Sequence, residues 1–177
     1  LLARENLTDH LDLNERKDKI RQRLWKIRAK KVIIATGAME RPLIFNNNDR
    51  PGIILSYSIK KYIDYFGVKC GQKISLFTNN DSAYETAISL INSGVNVNSV
   101  VDIRDKNNSE IVKQAEKLGI KIHWKSTVVN TNGYKKINSI EIMNLSDDDS
   151  AVVGNKINEE CDCLGISGGW TPRVHLF

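Results

Sequence analysis

The sequence is poor in the residues that staple, ligate or punctuate. Its 177 residues hold three cysteines, three prolines and three histidines. Cys70, Cys161 and Cys163 cannot all pair with one another, and Cys-Asp-Cys has neither redox nor zinc spacing, so free thiols in a reducing compartment are expected. His10, His123 and His175 are scattered, with no metal-ligand spacing to cysteine or carboxylate, and no metal site is expected. Long apolar runs are lacking too. Stretches such as Val32 to Ala35 fall far short of the roughly 20 residues a membrane-spanning helix needs. Nor is there a broad excess of one charge. The net charge is +5, and residues 1–31 hold ten basic against five acidic side chains, which leaves the remainder balanced. That basic stretch contains one aromatic, Trp25, whereas a nucleic-acid face interleaves several, so neither membrane nor nucleic acid is an expected partner.

What is present suits one α/β domain, or one plus a piece of another: 41% hydrophobic and 27% charged side chains can bury a real core. The chain opens Leu-Leu-Ala-Arg-Glu-Asn, without an initiator Met or a signal core, and stops eight residues after Gly169, so a longer parent is expected. Residues 24–30 alternate as a half-exposed strand. Val32 to Gly37 reads as a parallel strand covered on both faces, ending in small residues. The polar run 46–52, with Pro51 and Gly52, marks a domain junction.

Ile59, Tyr62, Ile63 and Phe66 recur at helical spacing, which predicts a helix over 56–66 stopped by Gly67. A strand over 73–78, helix over 82–93, strand over 95–102, helix over 109–118 and strand over 120–124 then make a β-α-β-α-β, Rossmann-like unit with a parallel sheet. Strand-like runs at 126–130, 137–144 and 151–157, the last two joined by an acidic turn over 146–150, predict an antiparallel meander. The strand over 162–167 ends in Gly168-Gly169, repeating the design of 32–37, and is read as a return to the first domain. The expected division is thus 1–48 and 158–177 in part of one FAD/NAD-type domain, with 52–157 inserted as a Rossmann-like unit plus meander.

The chemistry-bearing constellations are thin. Where a dinucleotide-binding unit carries Gly-x-Gly-x-x-Gly, this chain reads Thr78-Asn79-Asn80-Asp81-Ser82-Ala83, with side chains in the space a pyrophosphate needs and Asp81 set to repel it. Ser82 to Glu85 fits a capping box, a structural role. Asp102 ends the second strand where a ribose-binding acid would sit, but without a phosphate site that contact has nothing to anchor it. No serine stands in a nucleophile elbow, and Asp147 to Asp149 lacks the glycine and distal glutamate of a calcium loop. No catalytic residue is expected. Two segments remain, Ala35-Thr36-Gly37-Ala38 and Gly168-Gly169-Trp170, each putting small residues just after a strand, where backbone amides can approach a ligand.

Taken together, Arg23 to Ala29, Val32 to Pro42, Asn48-Asp49-Arg50-Pro51-Gly52, Phe77 to Tyr84 and Ser167 to Pro172 resemble the alpha subunits of heterotetrameric bacterial sarcosine oxidases, a branch of the two-dinucleotide-domain flavoproteins. Met39 stands where members of that family commonly carry another residue, which leaves the backbone role of the segment intact. The resemblance implies a cytoplasmic oxidoreductase subunit that binds NAD in a glutathione-reductase-like domain, beside a folate-binding domain. It implies beta, gamma and delta partner subunits, with FAD in beta and FMN at the alpha/beta interface. Electrons would pass from FAD to FMN to oxygen, giving peroxide, while the methyl group leaves as formaldehyde or is captured on tetrahydrofolate. By motif position, Ala35, Thr36, Gly37, Ala38, Gly168, Gly169 and Trp170 would line the NAD cleft, with no cofactor held tightly by this piece alone. Two other readings stay open: a subunit of a related opine or amino-acid dehydrogenase, and an interaction scaffold that binds no small molecule. A first domain without its opening β-α-β would leave apolar strand edges exposed, which favours self-association.

Overall fold

The structure is a computed structural model in which residues 1–175 are described. They form two compact units, 1–36 and, from Gly37 onward, 37–175. The first unit is built on a hairpin, β1 (Leu2–Asn6) paired antiparallel with β2 (Gln22–Lys26). On one face of it the Trp25 indole N–H donates to Glu5 Oε2 at 2.8 Å, and the Arg23 guanidinium lies 5.3 Å over the Trp25 ring. The alternation read over 24–30 is therefore strand only as far as Lys26, and it has no inner face, since Trp25 is 47% exposed. The run 32–37, expected as a covered parallel strand, forms none: Ile33 is 92% exposed. An apolar run becomes a central strand only with hydrogen-bonded neighbours on both edges, and no described strand pairs with it.

The second unit opens with β3 (Ala38–Glu40), β4 (Ile53–Leu55) and α1 (Ser56–Phe66). Helix α1 ends as its glycine predicts. Gly67 takes left-handed φ 64°, its N–H bonds Ile63 O as in the αL closure, and the next N–H bonds Tyr62 O. The predicted alternation follows in order: β5 (Ile74–Thr78), α2 (Ser82–Asn92), β6 (Val97–Asp102), α3 (Glu110–Lys117) and β7 (Ile122–His123). The meander is β8 (Ser126–Gly133), β9 (Ile137–Leu145) and β10 (Val152–Glu160), antiparallel in the order β10-β9-β8. Then come β11 (Cys163–Ser167) and β12 (Trp170–Pro172).

All neighbours in the main sheet, ordered β4-β11-β5-β6-β7, are parallel. Alternate side chains of its strands feed two cores. Ile74, Leu76 and Val100 pack with Ile59, Tyr84, Leu90, Val112 and Ala115 of the helices, while Phe77, Val101, Leu164 and Ile166 pack with Val128, Ile137, Ile140 and Ile142 of the meander. The fold is thus α/β, with a Rossmann-like parallel sheet between a helical layer and an antiparallel layer.

Two placements differ from the sequence reading. Strand β11, read as part of another domain, lies inside this sheet between β4 and β5 and is buried throughout. Gly165 makes that position workable, because a Cβ there would stand 2.7 Å from Ile59 Cδ1 and 2.5 Å from Leu76 Cδ2. The polar run 46–52 is no junction between compact units, as it is tied into the second. The Arg50 guanidinium donates to the Gly133 carbonyl, Thr131 Oγ1 donates to Asn47 O at 2.9 Å, and the carbonyls of Pro51 and Gly52 accept the N–H groups of Ile137 and Leu164. Gly52, at φ 100°, passes so close to Ile137 that a Cβ would lie 2.6 Å from its Cγ2.

Candidate functional site

In open parallel sheets ligands bind beyond the carboxyl ends of the strands, where the strand order reverses. Here β5, β6 and β7 run outward in one direction from β5, and β11 and β4 in the other, so the reversal lies between β5 and β11.

The chain beyond β5 is folded in on itself. Thr78 Oγ1 accepts the Asn80 N–H at 3.1 Å and donates to Asn80 O at 2.9 Å. The Asn80 amide N–H2 donates to Ser167 O at 3.2 Å and Ser167 Oγ at 3.0 Å, bridging the reversal point from β5 to β11. Its other oxygen, Oδ1, accepts from Ser82 N at 3.1 Å and from Ser82 Oγ at 2.5 Å. The capping box expected at Ser82 is therefore not formed. Asp81 occupies the cap position without a side-chain cap bond, and Asn80 takes the amide and hydroxyl of Ser82 from one residue further back. The turn after β5 is thus closed by side chains that bond each other.

The strand-end acid is equally committed. Asp102 is fully buried; its Oδ1 accepts Arg104 N and Nε, both at 3.0 Å, and its Oδ2 accepts the Tyr84 hydroxyl and Arg104 Nη2, both at 2.8 Å. Four bonds use the four lone-pair positions of a carboxylate and leave none for a ribose hydroxyl. Burial, with the Asp102 charge alongside, pushes the Tyr84 phenol up, so it stays a neutral donor. Arg104 also reaches Asp81 Oδ1 at 2.7 Å and ties the turn after β5 to the end of β6.

Five of the seven expected cofactor-lining residues meet in one ribbon. Strand β12 pairs antiparallel with β3, Trp170 opposite Glu40 and Pro172 opposite Ala38. The Arg173 N–H donates to Gly37 O at 2.9 Å, and the Arg41 N–H to Gly169 O at 2.8 Å. This brings Gly37 and Ala38 alongside Gly168, Gly169 and Trp170. Gly37 and Gly169 face open space, whereas a Cβ on Gly168 would press 2.8 Å from Pro42 O. Ala35 and Thr36 lie in the first compact unit, outside any strand.

Beside the ribbon is a cleft of about 420 Å³ lined by Met39, Glu40, Tyr57, Lys61, Trp170 and others. Of the residues lining it, sequence reasoning singled out Ala38 and Trp170 as cofactor-lining. Trp170 Nε1 donates to Ser82 Oγ at 3.0 Å, and its ring meets Tyr57 edge to face at 5.3 Å. Glu40 Oε2 accepts the Tyr57 N–H at 2.8 Å, so a side chain holds the N-terminus of α1, and burial raises the Glu40 pKa. The glutamate and tyrosine are 17 residues apart, a separation with no local signature. Among the described residues no group of His, Cys, Asp and Glu has the arrangement of a metal centre.

No protein-family model matches the chain. Curated relatives do. The chain is 40% identical over 176 residues to the sarcosine oxidase subunit alpha of Corynebacterium sp. (strain U-96), covering 99% of this chain and 18% of that protein. It is 37% identical over 178 residues to the sarcosine oxidase subunit alpha of Corynebacterium sp. (strain P-1), with the same shares covered. The chain is homologous to part of the sarcosine oxidase alpha subunits. Among solved structures, T. acidophilum thioredoxin reductase superposes with a TM-score of 0.61 at 19% identity, over 78% of this chain and 43% of that one, a likeness of fold. The blocked turn and the committed Asp102 are thus features of a sarcosine oxidase alpha-subunit relative that keeps the reductase-type sheet.

Proposed function

We propose that this chain is the reductase-type unit of an oxidoreductase subunit, a sarcosine oxidase alpha subunit, and that it serves there as architecture without a catalytic group of its own. The reaction of the whole enzyme is then the oxidative demethylation of sarcosine, in which sarcosine, oxygen and water give glycine, formaldehyde and hydrogen peroxide, or tetrahydrofolate takes the one-carbon unit. The observation that carries the architectural role is the turn after β5, where Asn80 is bonded to Ser167 and Ser82 in the place of a glycine-lined phosphate cradle.

NAD does not fit that turn, and no step is assigned through it. The open faces of Gly37 and Gly169 do fit one wall of a dinucleotide cleft, since nothing stands within 4 Å of where a Cβ would be. On this reading Gly37, Ala38, Gly168, Gly169 and Trp170 contribute backbone to an NAD site completed by other parts of the subunit. FAD, FMN and folate, with the beta, gamma and delta subunits and a cytoplasmic setting, belong to the whole enzyme.

The test is to replace the matching segment of the Corynebacterium subunit with residues 37–175, confirm assembly by gel filtration, and measure peroxide released from sarcosine. An assembled hybrid with activity within about three-fold of the parent is expected. An assembled hybrid that does not oxidise sarcosine would contradict the proposal.

A further inference from the structure

The three cysteines differ in where they lie. Cys163 opens β11 and belongs to the helical core with Ile59 and Ile74, whereas Cys161, just before that strand, belongs to the core under the meander. Cys70 sits in the connection between α1 and β5 and packs, partly buried, against the same helical core as Cys163. Two thiols therefore share one layer, and the third is in the other.

The end of the connection is pinned to the start of β11. The Asp162 carboxylate accepts the Gln72 N–H at 2.8 Å and 3.1 Å and the Lys73 N–H at 2.8 Å, while the Asp162 N–H donates to Lys73 O at 3.0 Å. Ile74 then pairs with Cys163 in the sheet. Gly71 passes so close to β11 that a Cβ there would stand 2.6 Å from Cys163 Cβ, and Cys70 is the next residue, one Cα step of about 3.8 Å away. The two sulfurs also influence each other. Burial pushes the Cys163 thiol up to about 12, and a charge on Cys70 adds more to that rise than a charge on Cys161 does. All three thiols are free in this structure.

We propose that Cys70 and Cys163 are an oxidisable pair, which hydrogen peroxide converts to an internal disulfide tying the α1–β5 connection to β11. Cys70, the more accessible thiol, reacts first. Its thiolate attacks one peroxide oxygen, the O–O bond breaks, Cys70 becomes a sulfenic acid, and the departing hydroxide takes up a proton as water. Cys163 then loses its proton as its sulfur attacks the Cys70 sulfur, the S–O bond breaks, and a second water leaves. Two thiols give up two electrons and two protons, and one peroxide becomes two waters. Burial raises the Cys70 thiol as well, so thiolate is scarce, the first step is slow, and alkaline pH speeds it. Residues 67–73 lie outside any helix or strand, which leaves Cys70 free to reach the Cα separation of about 4.4–6.8 Å that a disulfide spans. Peroxide is a product of the proposed enzyme, but the inference does not rest on that reading, because the test supplies the oxidant.

The test treats the reduced, native chain with millimolar hydrogen peroxide at about pH 8 for several hours, then reads intact mass and a peptide map prepared without reductant. The mass is expected to fall by ~2 Da with the far-UV circular dichroism unchanged, and the map to contain one linked pair, Cys70 with Cys163, released by dithiothreitol. Cys70→Ser should abolish the loss of mass. Cys163→Ala should leave Cys70 without its partner, so that it gains one or two oxygen atoms instead, while Cys161→Ala should behave as the parent does. The map of the parent chain decides the matter even where a core variant fails to fold. Oxygen added at Cys70 with Cys163 still reduced, a link through Cys161, a disulfide between two chains, or three thiols still free after treatment would each overturn the proposal.

Discussion

Glu159 gives the sharpest handle on what docks the meander against the parallel sheet. It stands near the end of β10, and its Oε1 accepts hydrogen bonds from two fully buried hydroxyls, Ser75 Oγ on β5 at 2.8 Å and Ser99 Oγ on β6 at 2.6 Å. Its Oε2 faces His123 Nε2 at 3.6 Å and Lys121 Nζ at 3.7 Å. Against the opposing cost of burial, the hydrogen bonds from Ser99 and Ser75, with the His123 ring close by, hold the carboxyl down at about 2, from an ordinary 4.5.

At 1.36 kcal/mol per pKa unit, that depression corresponds to ~3 kcal/mol, and water in the cleft that Glu159 lines reduces the stabilisation to about 2 kcal/mol. The sign follows from a folded pKa below the unfolded one. The contribution is complete above the unfolded value of 4.5 and is lost as pH falls toward the folded value of about 2. Glu159→Gln keeps the size and an acceptor oxygen but cannot titrate. In urea unfolding followed by tryptophan fluorescence, the variant should be less stable than the parent by about 2 kcal/mol at pH 6, and by less than half of that at pH 3. An equal gap at the two pH values, or none at pH 6, would refute the reasoning.

Three further outcomes follow from other parts of the fold. Asp102→Asn removes the charge that Arg104 and Tyr84 share in the core, and should cost about 2–3 kcal/mol in urea unfolding; a cost under about 0.5 kcal/mol would show that the network is solvated. Gly52→Ala should cost more than about 2 kcal/mol, because it combines a left-handed backbone with a Cβ driven into Ile137, whereas Gly37→Ala, left-handed but open, should cost about 1 kcal/mol; equal losses would remove close approach as the cause. Burial pushes the Cys161 and Cys163 thiols up to about 12 but leaves Cys70 partly accessible, so a thiol reagent at pH 8 should titrate one fast group in the native chain and three after unfolding; three equal native rates would contradict the burial.

Local pattern made much of this fold legible. Helix α1, its Gly67 stop, the alternation from β5 to β7 and the meander all carry their period or their turn residues in the sequence, and each forms within a few residues of where the pattern places it. Pairing was not legible. The runs 32–37 and 162–167 look alike, each a strand-like run leading into glycine, yet the second finds β4 and β5 on its two edges and becomes an interior strand of the sheet while the first finds no partner strand. Strand β4 is three residues long, too short for a period to show.

The site shows the same division. Loss of the glycines after β5 was visible as composition, and it implied a closed turn. What closes it was not, because Asn80 reaches Ser167, 87 residues on, and Glu40 reaches Tyr57 across a gap with no spacing rule. Asp102 looked like a ribose acid because its position was right; only its four bonds to Arg104 and Tyr84 reveal that it has no acceptor capacity to offer.

The central claim is that the turn beyond β5 is closed to nucleotide by its own side chains. The direct test is a titration of the isotope-labelled chain with NAD to about 5 mM, well into the range of weak binding, reading the amide resonances of residues 79–83 and 102–104. The account predicts that those amides do not shift, even where the amides of Gly37 and Gly169 respond. Saturable shifts at residues 79–83 would mean that Asn80 yields its bonds to a phosphate, and would contradict it.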